Sequence, residues 1–169
     1  MAILPVISLL YAMFALSMAS EPMTDGGPGE TEESPELTVV EKHAVCQSGW
    51  HGCGNRCFKL FHERKTWSEA EGHCKEQGGN LVSIHNKVEA KLVGDLSGNT
   101  YWTWIGTGGS AEGFTWYWTD GSPFDYSNWA SWEPNNHLGN EHCASTNYNG
   151  GGVWNDLPCH QSLPFVCAK

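Results

Sequence analysis

The chain has 169 residues and a formal net charge of −10, a length that suits one domain with appendages and a charge that argues against a nucleic-acid footprint. Nine Trp within an apolar share of 40% supply one core with aromatic side chains to spare for loops. The acidity is local: seven acids face one base between Glu21 and Lys42, and the remainder carries −4.

Residues 2–19 form a mostly apolar run whose small residues Ser17 and Ala19 fit a signal-peptidase site before Ser20. No Lys or Arg stands near Met1, a departure from the usual signal. The same lack leaves a membrane anchor without its basic cytoplasmic flank. The expectation is a signal peptide over 1–19 and a secreted, extracellular product. Residues 20–45, with Pro22, Gly26-Gly27-Pro28-Gly29 and many Glu, have little to bury and are expected to form an acidic disordered linker or propeptide. They contain no heptad and no Gly-X-Y repeat, so neither a coiled-coil neck nor a collagen stalk is expected. The folded domain is expected over 46–169.

Within it, Cys57-Phe58-Lys59-Leu60-Phe61 alternates apolar and polar, the period of a strand. Thr66-Trp67-Ser68-Glu69 fits a capping box and predicts a helix to about Gln77, turning Trp67, Ala70 and Cys74 inward and stopping at Gly78-Gly79. Asn86 with Glu89 repeats the device for a second helix that presents Val88, Leu92, Val93 and Leu96 and ends near Gly98. From Tyr101, Trp-Thr-Trp-Ile and then Phe114-Thr-Trp-Tyr-Trp118 read as β segments, with Trp104 and Trp118 in the core. Asp120-Gly121-Ser122-Pro123 is a turn. The stretch from Phe124 to about Asn140 has no periodicity, and structureless loops of that length are usually functional or disordered. Val153-Trp154 and Phe165-Val166-Cys167 close the chain as strands.

The candidate chemistry lies in that long loop and in the residues C-terminal to it. Glu133, Asn135, Glu141, Asn155 and Asp156 lie in Gly- and Asn-rich sequence that cannot sustain a helix. Ca²⁺ is a hard cation that takes roughly six to eight oxygens at about 2.3–2.6 Å, from carboxylates, carbonyls and amides. These five residues supply that chemistry and leave room for oxygens from a ligand. A polar, solvated surface loop is the plainer alternative.

Glu133-Pro134-Asn135, Glu141 before Cys143, and Trp154-Asn155-Asp156 before Cys159 together resemble the carbohydrate-recognition domain of C-type lectins. Trp104-Ile105-Gly106, Asp120-Gly121-Ser122-Pro123 and the half-cystines Cys74, Cys143, Cys159 and Cys167 stand in the same order as in that family. The resemblance runs from about Cys46 to Lys169. It implies an α+β fold, two helices packed on small antiparallel sheets with a long Ca²⁺-binding loop, stapled by disulfides. It also implies the pairs Cys46–Cys57, Cys74–Cys167 and Cys143–Cys159, a pairing that the sequence alone leaves open. In the chain-entropy view the long Cys74–Cys167 closure contributes roughly 4–5 kcal/mol. Pro134 is implied to follow a cis bond.

The same resemblance assigns one Ca²⁺ to Glu133, Asn135, Glu141, Asn155 and Asp156, with vicinal sugar hydroxyls completing the shell and contacting the same five residues. A carboxylate accepts hydrogen bonds and an amide nitrogen donates them, so residue order sets sugar preference. In relatives, Glu-Pro-Asn accompanies mannose, N-acetylglucosamine, glucose and fucose, whereas Gln-Pro-Asp accompanies galactose. The expected ligand is therefore a mannose-class glycan, and the expected role is recognition or agglutination of microbes in innate defence. A galactose preference, or an ice-binding or protein-binding role on the same fold, is the alternative. Asn136 and His142 occupy places where some relatives hold a second ion with acids, which speaks against a second site here.

All seven Cys follow the apolar leader, as suits an oxidising compartment. Cys53 is left without a partner and is a candidate for a disulfide-linked homodimer or a small buried apolar side chain. His137, His142 and His160 lie near the loop but form no zinc-ligand pattern. No nucleophile motif appears, so catalytic residues are expected to be none and an enzyme is not expected.

Overall fold

The computed structural model describes residues 44–98, 102–109, 115–148 and 150–169. The signal peptide and almost all of the acidic linker fall outside these residues, as do Tyr101 and Phe114. In chain order the elements are β1 (His51–Cys53), β2 (Arg56–Lys65), α1 (Trp67–Glu76), β3 (Asn80–Leu81), α2 (Lys87–Ser97), β4 (Thr103–Gly109), β5 (Trp116–Trp118), a 3-10 turn at His137–Gly139, β6 (Cys143–Thr146), β7 (Asn155–Leu157) and β8 (Leu163–Ala168).

The strands join in the order β1-β2-β8-β4-β6-β7, with β3 paired to β8 and β5 to β4. All ladders are antiparallel except β4 on β8, which pair in parallel at Trp104 and Phe165. The expected small sheets thus share one hydrogen-bonded network. Central position explains the composition of β8: every residue of Leu163–Ala168 is buried, because both faces of the sheet are covered. Its alternating side chains serve two cores. Leu163, Phe165 and Cys167 pack with Ala70 and Cys74 of α1, while Val166 and Ala168 pack with Ala90 and Val93 of α2. One helix covers each face. The disulfides Cys46–Cys57, Cys74–Cys167 and Cys143–Cys159 tie the first hairpin, α1 to the central strand, and β6 to the segment after β7.

Thr66 caps α1 with a full capping box, its hydroxyl accepting from Glu69 N while Glu69 Oε2 accepts from Thr66 N at 2.9 Å. The helix ends at Gln77 with Gly78 at φ 82°. The start of α2 departs from the sequence reading. Asn86 accepts from Val88 N and Glu89 N, but Glu89 does not reach back to Asn86. It accepts instead from His85 N at 2.8 Å and from Arg56 Nη1 at 2.9 Å. That ion pair takes the inner side of the first turn, so Val88 is 68% exposed rather than packed. Ala90 and Val93 fill the core, with Leu92 and Leu96 half-buried beside them.

Two further boundaries shift. The strand expected over 57–61 extends through ten residues because β8 pairs along it as far as Lys65. The strand expected at Val153-Trp154 begins instead at Asn155, and Trp154 makes only an isolated parallel bridge to Trp129. Among the described residues no helix is long and apolar enough to cross a membrane.

Candidate functional site

Trp154 is the base on which the site is built. It is fully buried, with Trp118, Trp129, Phe124 and Tyr126 around it at ring-centroid distances of 5.6–6.4 Å and near-perpendicular tilts. Edge-to-face pairs of this kind contribute about 0.5–1.5 kcal/mol each beyond area burial. The aromatic cluster fixes the next two residues, Asn155 and Asp156, at the start of β7. There they pair with Ser145 and Ala144 of β6, and the Cys143–Cys159 disulfide brackets both strands.

The long loop is fastened to the same base. Trp154 N donates to Asn128 O at 2.8 Å, Ala130 N donates to Trp154 O at 2.9 Å, and Glu133 N closes a reverse turn on Ala130 O at 3.1 Å. The Glu133–Pro134 peptide that comes next is cis. Beyond it, Asn135 N and Asn136 N donate to Asp156 Oδ1 and Oδ2 at 3.0 and 2.7 Å. Asn136 Oδ1 then accepts from Glu141 N at 3.0 Å, and Glu141 Oε2 accepts from His137 N at 2.9 Å. Backbone amides thus carry the loop around the carboxylates. Asn136 does so at φ 45°, a left-handed conformation that Asn tolerates better than most residues.

The structure brings Glu133, Glu141, Asn155 and Asp156 to one place, with Asn135 anchored there through its backbone. Electrostatics shows the closeness. Burial, a hydrogen bond shared with Asp156, and the charges of Asp156 and Glu141 together push the Glu133 carboxyl up to about 7. Burial also raises Glu141, against the hydrogen bond from His137. Among the described residues no three His, Cys, Asp or Glu side chains close on one point as a metal cluster. The set is mixed instead, with amide oxygens beside the acids.

Two buried oxygens lack any hydrogen-bond partner: Glu133 Oε2 and Asn155 Oδ1. A buried acceptor left unsatisfied costs about 1–3 kcal/mol, and more when charged. Crowded negative charge and orphaned oxygens call for the same remedy, a hard cation with oxygen preference. The residues present fit Ca²⁺.

The expectation of no catalytic machinery meets one constellation that the sequence reading did not single out. His85 lies 2.8 Å from Asp125 Oδ1 and 3.2 Å from Ser83 Oγ, the connectivity of a nucleophile triad. Ser83 is 1% exposed, however. Its hydroxyl donates to Asp120 Oδ2 at 2.5 Å and accepts from Arg56 Nη2 at 2.7 Å. With its proton given to Asp120, Ser83 is a structural link between strand, helix and turn. Burial pushes Asp120 up, and the bonds from Ser122 and Ser83 outweigh it, so its carboxyl sits below the ordinary range.

The sequence reading also missed the backbone braces on Asp156 and the exposure of Trp132 and Leu138 beside the site. Only the Asn-Asn pair at 135–136, a common source of turn conformations, offered a hint.

A family model described as the lectin C-type domain matches residues 63–169. The chain is 41% identical over 128 residues to the galactose-specific lectin nattectin of Thalassophryne nattereri, covering 73% of this chain and 80% of that protein. It is 34% identical over 177 aligned positions to ladderlectin of Oncorhynchus mykiss, covering 97% and 92%. Among solved structures, a calcium-independent type II antifreeze protein superposes with a TM-score of 0.69 at 37% identity, over 76% of this chain and 97% of that one.

Proposed function

The chain belongs to the C-type lectin domain family, and from that premise we propose that it is a secreted protein that binds glycans of the mannose class in a Ca²⁺-dependent manner. The observation that carries this reading is the pair of buried, partnerless oxygens, Glu133 Oε2 and Asn155 Oδ1. Glu133, Asn135, Glu141, Asn155 and Asp156 would hold one Ca²⁺, which when bound supplies coordination for two vicinal sugar hydroxyls.

The protein's own share of recognition is hydrogen-bond polarity. The carboxylates of Glu133 and Glu141 accept from sugar hydroxyls, while the amide nitrogens of Asn135 and Asn155 donate to them. Acceptor before donor across Pro134 is the arrangement that supports the mannose class: mannose, N-acetylglucosamine, glucose or fucose. A single shallow site binds one sugar weakly, so agglutination of microbial surfaces would need several copies. Cys53, a half-buried free thiol on β1, is the candidate for a disulfide-linked dimer.

Retention on mannose-agarose in millimolar Ca²⁺, with release by EDTA, is the expected result. Two other outcomes have specific support. Nattectin is named as galactose-specific, so retention on galactose-agarose alone would transfer the reading to that sugar. The antifreeze relative is named as calcium-independent, so activity that persists in EDTA would remove the cation from the function.

A further inference from the structure

Two apolar side chains stand out from the protein on either side of the Glu133–His137 segment. Trp132 is 93% exposed and Leu138 is 90% exposed. Both have left-handed backbone, φ 72° and 57°, a conformation that bulky residues seldom adopt and that clusters at binding sites. Trp132 occupies the third position of the turn closed by Glu133 N on Ala130 O, where glycine is the usual residue. Neither side chain is loosely hung. Ala130 N is bonded to Trp154 O, and Leu138 lies within the turn closed by Gly139 N on Asn136 O at 2.8 Å.

We propose that Trp132 and Leu138 form an apolar platform for a second sugar unit of an oligosaccharide whose first unit lies against Glu133 and Asn135. This rests on the proposed binding of saccharides. A pyranose has a hydroxyl-bearing edge and an apolar C–H face. The segment from 132 to 138 alternates in the same sense, with oxygens and amides in the middle and apolar groups at both ends. A ring that presents its edge to Glu133 and Asn135 leaves the C–H face of its neighbour to an adjacent indole. Two isolated apolar side chains parted by polar groups are too small for a protein partner, which needs about 1,200 Å² or more of buried surface. The natural ligand is then an oligosaccharide, and selectivity among glycans resides partly in the linkage to the second unit.

The test uses Trp132→Gly, since glycine takes φ 72° without strain and the change removes only the indole. Affinities for a methyl mannoside and a branched mannopentaose, with a methyl galactoside and a galactose-terminated tetrasaccharide in parallel, are measured in millimolar Ca²⁺ by calorimetry. The expected result is a pentaose or tetrasaccharide affinity reduced about five- to tenfold, with the monosaccharide affinity within about twofold. Leu138→Asn gives a smaller loss of the same kind. An unchanged ratio of oligosaccharide to monosaccharide affinity overturns the platform while leaving the lectin reading intact. Equal losses for both ligands place Trp132 in the primary site and also overturn it. If the wild-type chain binds none of the four sugars, the saccharide reading itself falls and the platform with it. An unchanged ratio accompanied by a loss of ice-recrystallisation inhibition assigns the surface to ice.

Discussion

Asp156 accepts the backbone N–H of Asn136 at 2.7 Å from twenty positions along the chain, and its other oxygen accepts that of Asn135. The carboxylate is therefore a hub for the loop before it is a ligand for anything else. Asp156→Asn turns an NH₂ group toward one of those donors. The expected cost is about 1–3 kcal/mol in cation-free thermal unfolding. Calcium affinity, measured by calorimetry, is expected to fall roughly 10–100-fold. A variant with unchanged melting and unchanged calcium binding would remove Asp156 from the site.

The cation-free protein should lose stability as pH rises from about 4.5 to about 7. Glu133 titrates at about 7 in the folded chain, raised by burial and by its hydrogen bond and charge contacts with Asp156 from an ordinary 4.5. Between those values the folded state holds a proton that the unfolded state has released, so stability declines with pH across the window. Glu141 shifts in the same direction. Calcium binding needs the ionised form, so its affinity should rise with pH and level off above about 7. Melting curves in EDTA and in Ca²⁺ from about pH 5 to about pH 8 read both effects. A cation-free melting temperature that climbs through that range contradicts the burial of Glu133.

Exchanging donor and acceptor should exchange sugar preference. Glu133→Gln with Asn135→Asp keeps size and oxygen count and reverses the hydrogen-bond sense on either side of Pro134. A glycan array with and without Ca²⁺ is expected to shift from mannose-class to galactose-class ligands. Identical arrays for the two proteins would place the sugar elsewhere.

Cys53→Ser should convert any disulfide-linked dimer to monomer on a non-reducing gel while leaving monovalent sugar affinity unchanged. Burial raises the Cys53 thiol above its ordinary range, with the Glu89 charge adding to it. Little thiolate is then present near neutrality, and thiolate is the form that reacts. Slow alkylation in the folded monomer is the accompanying expectation. A dimer that survives the substitution must be held by another surface.

Gly106 lies where β4 passes β3, and a Cβ there would meet Leu81 O at 2.2 Å. Backbone cannot move aside as a flexible side chain would. Gly106→Ala is expected to destabilise the domain by about 3 kcal/mol or more, visible as a lowered denaturation midpoint. A variant with the midpoint of the parent would mean that the two strands separate freely, against the Gly106 N to Val82 O bond at 2.8 Å.

Capping residues and turn glycines are local signals, so Thr66-Glu69 at the start of α1 and Gly78 at its end were legible directly. The alternation of buried and exposed side chains located β2 in the same way. Where the sequence misled, a distant partner was responsible. Val88 has the spacing of a core residue, but Arg56, thirty-three positions from Glu89 along the chain, draws Glu89 inward and turns that face of α2 differently. Trp154 reads as a strand residue, yet its rings are gripped by Trp118, Trp129 and Tyr126 outside any regular ladder.

The amino-acid order by itself determined the chemistry of the candidate site: which oxygens and amides exist between Glu133 and Asp156, and that hydrogen-bond acceptor precedes donor across Pro134. Tertiary structure alone decided that Asp156 is already engaged by two backbone amides, that Glu133 Oε2 and Asn155 Oδ1 are buried without partners, and that Trp132 and Leu138 point outward. Side-chain type is a local property of the chain. Burial and the company a charge keeps depend on segments that meet only when the β-sheet and its aromatic base bring them together.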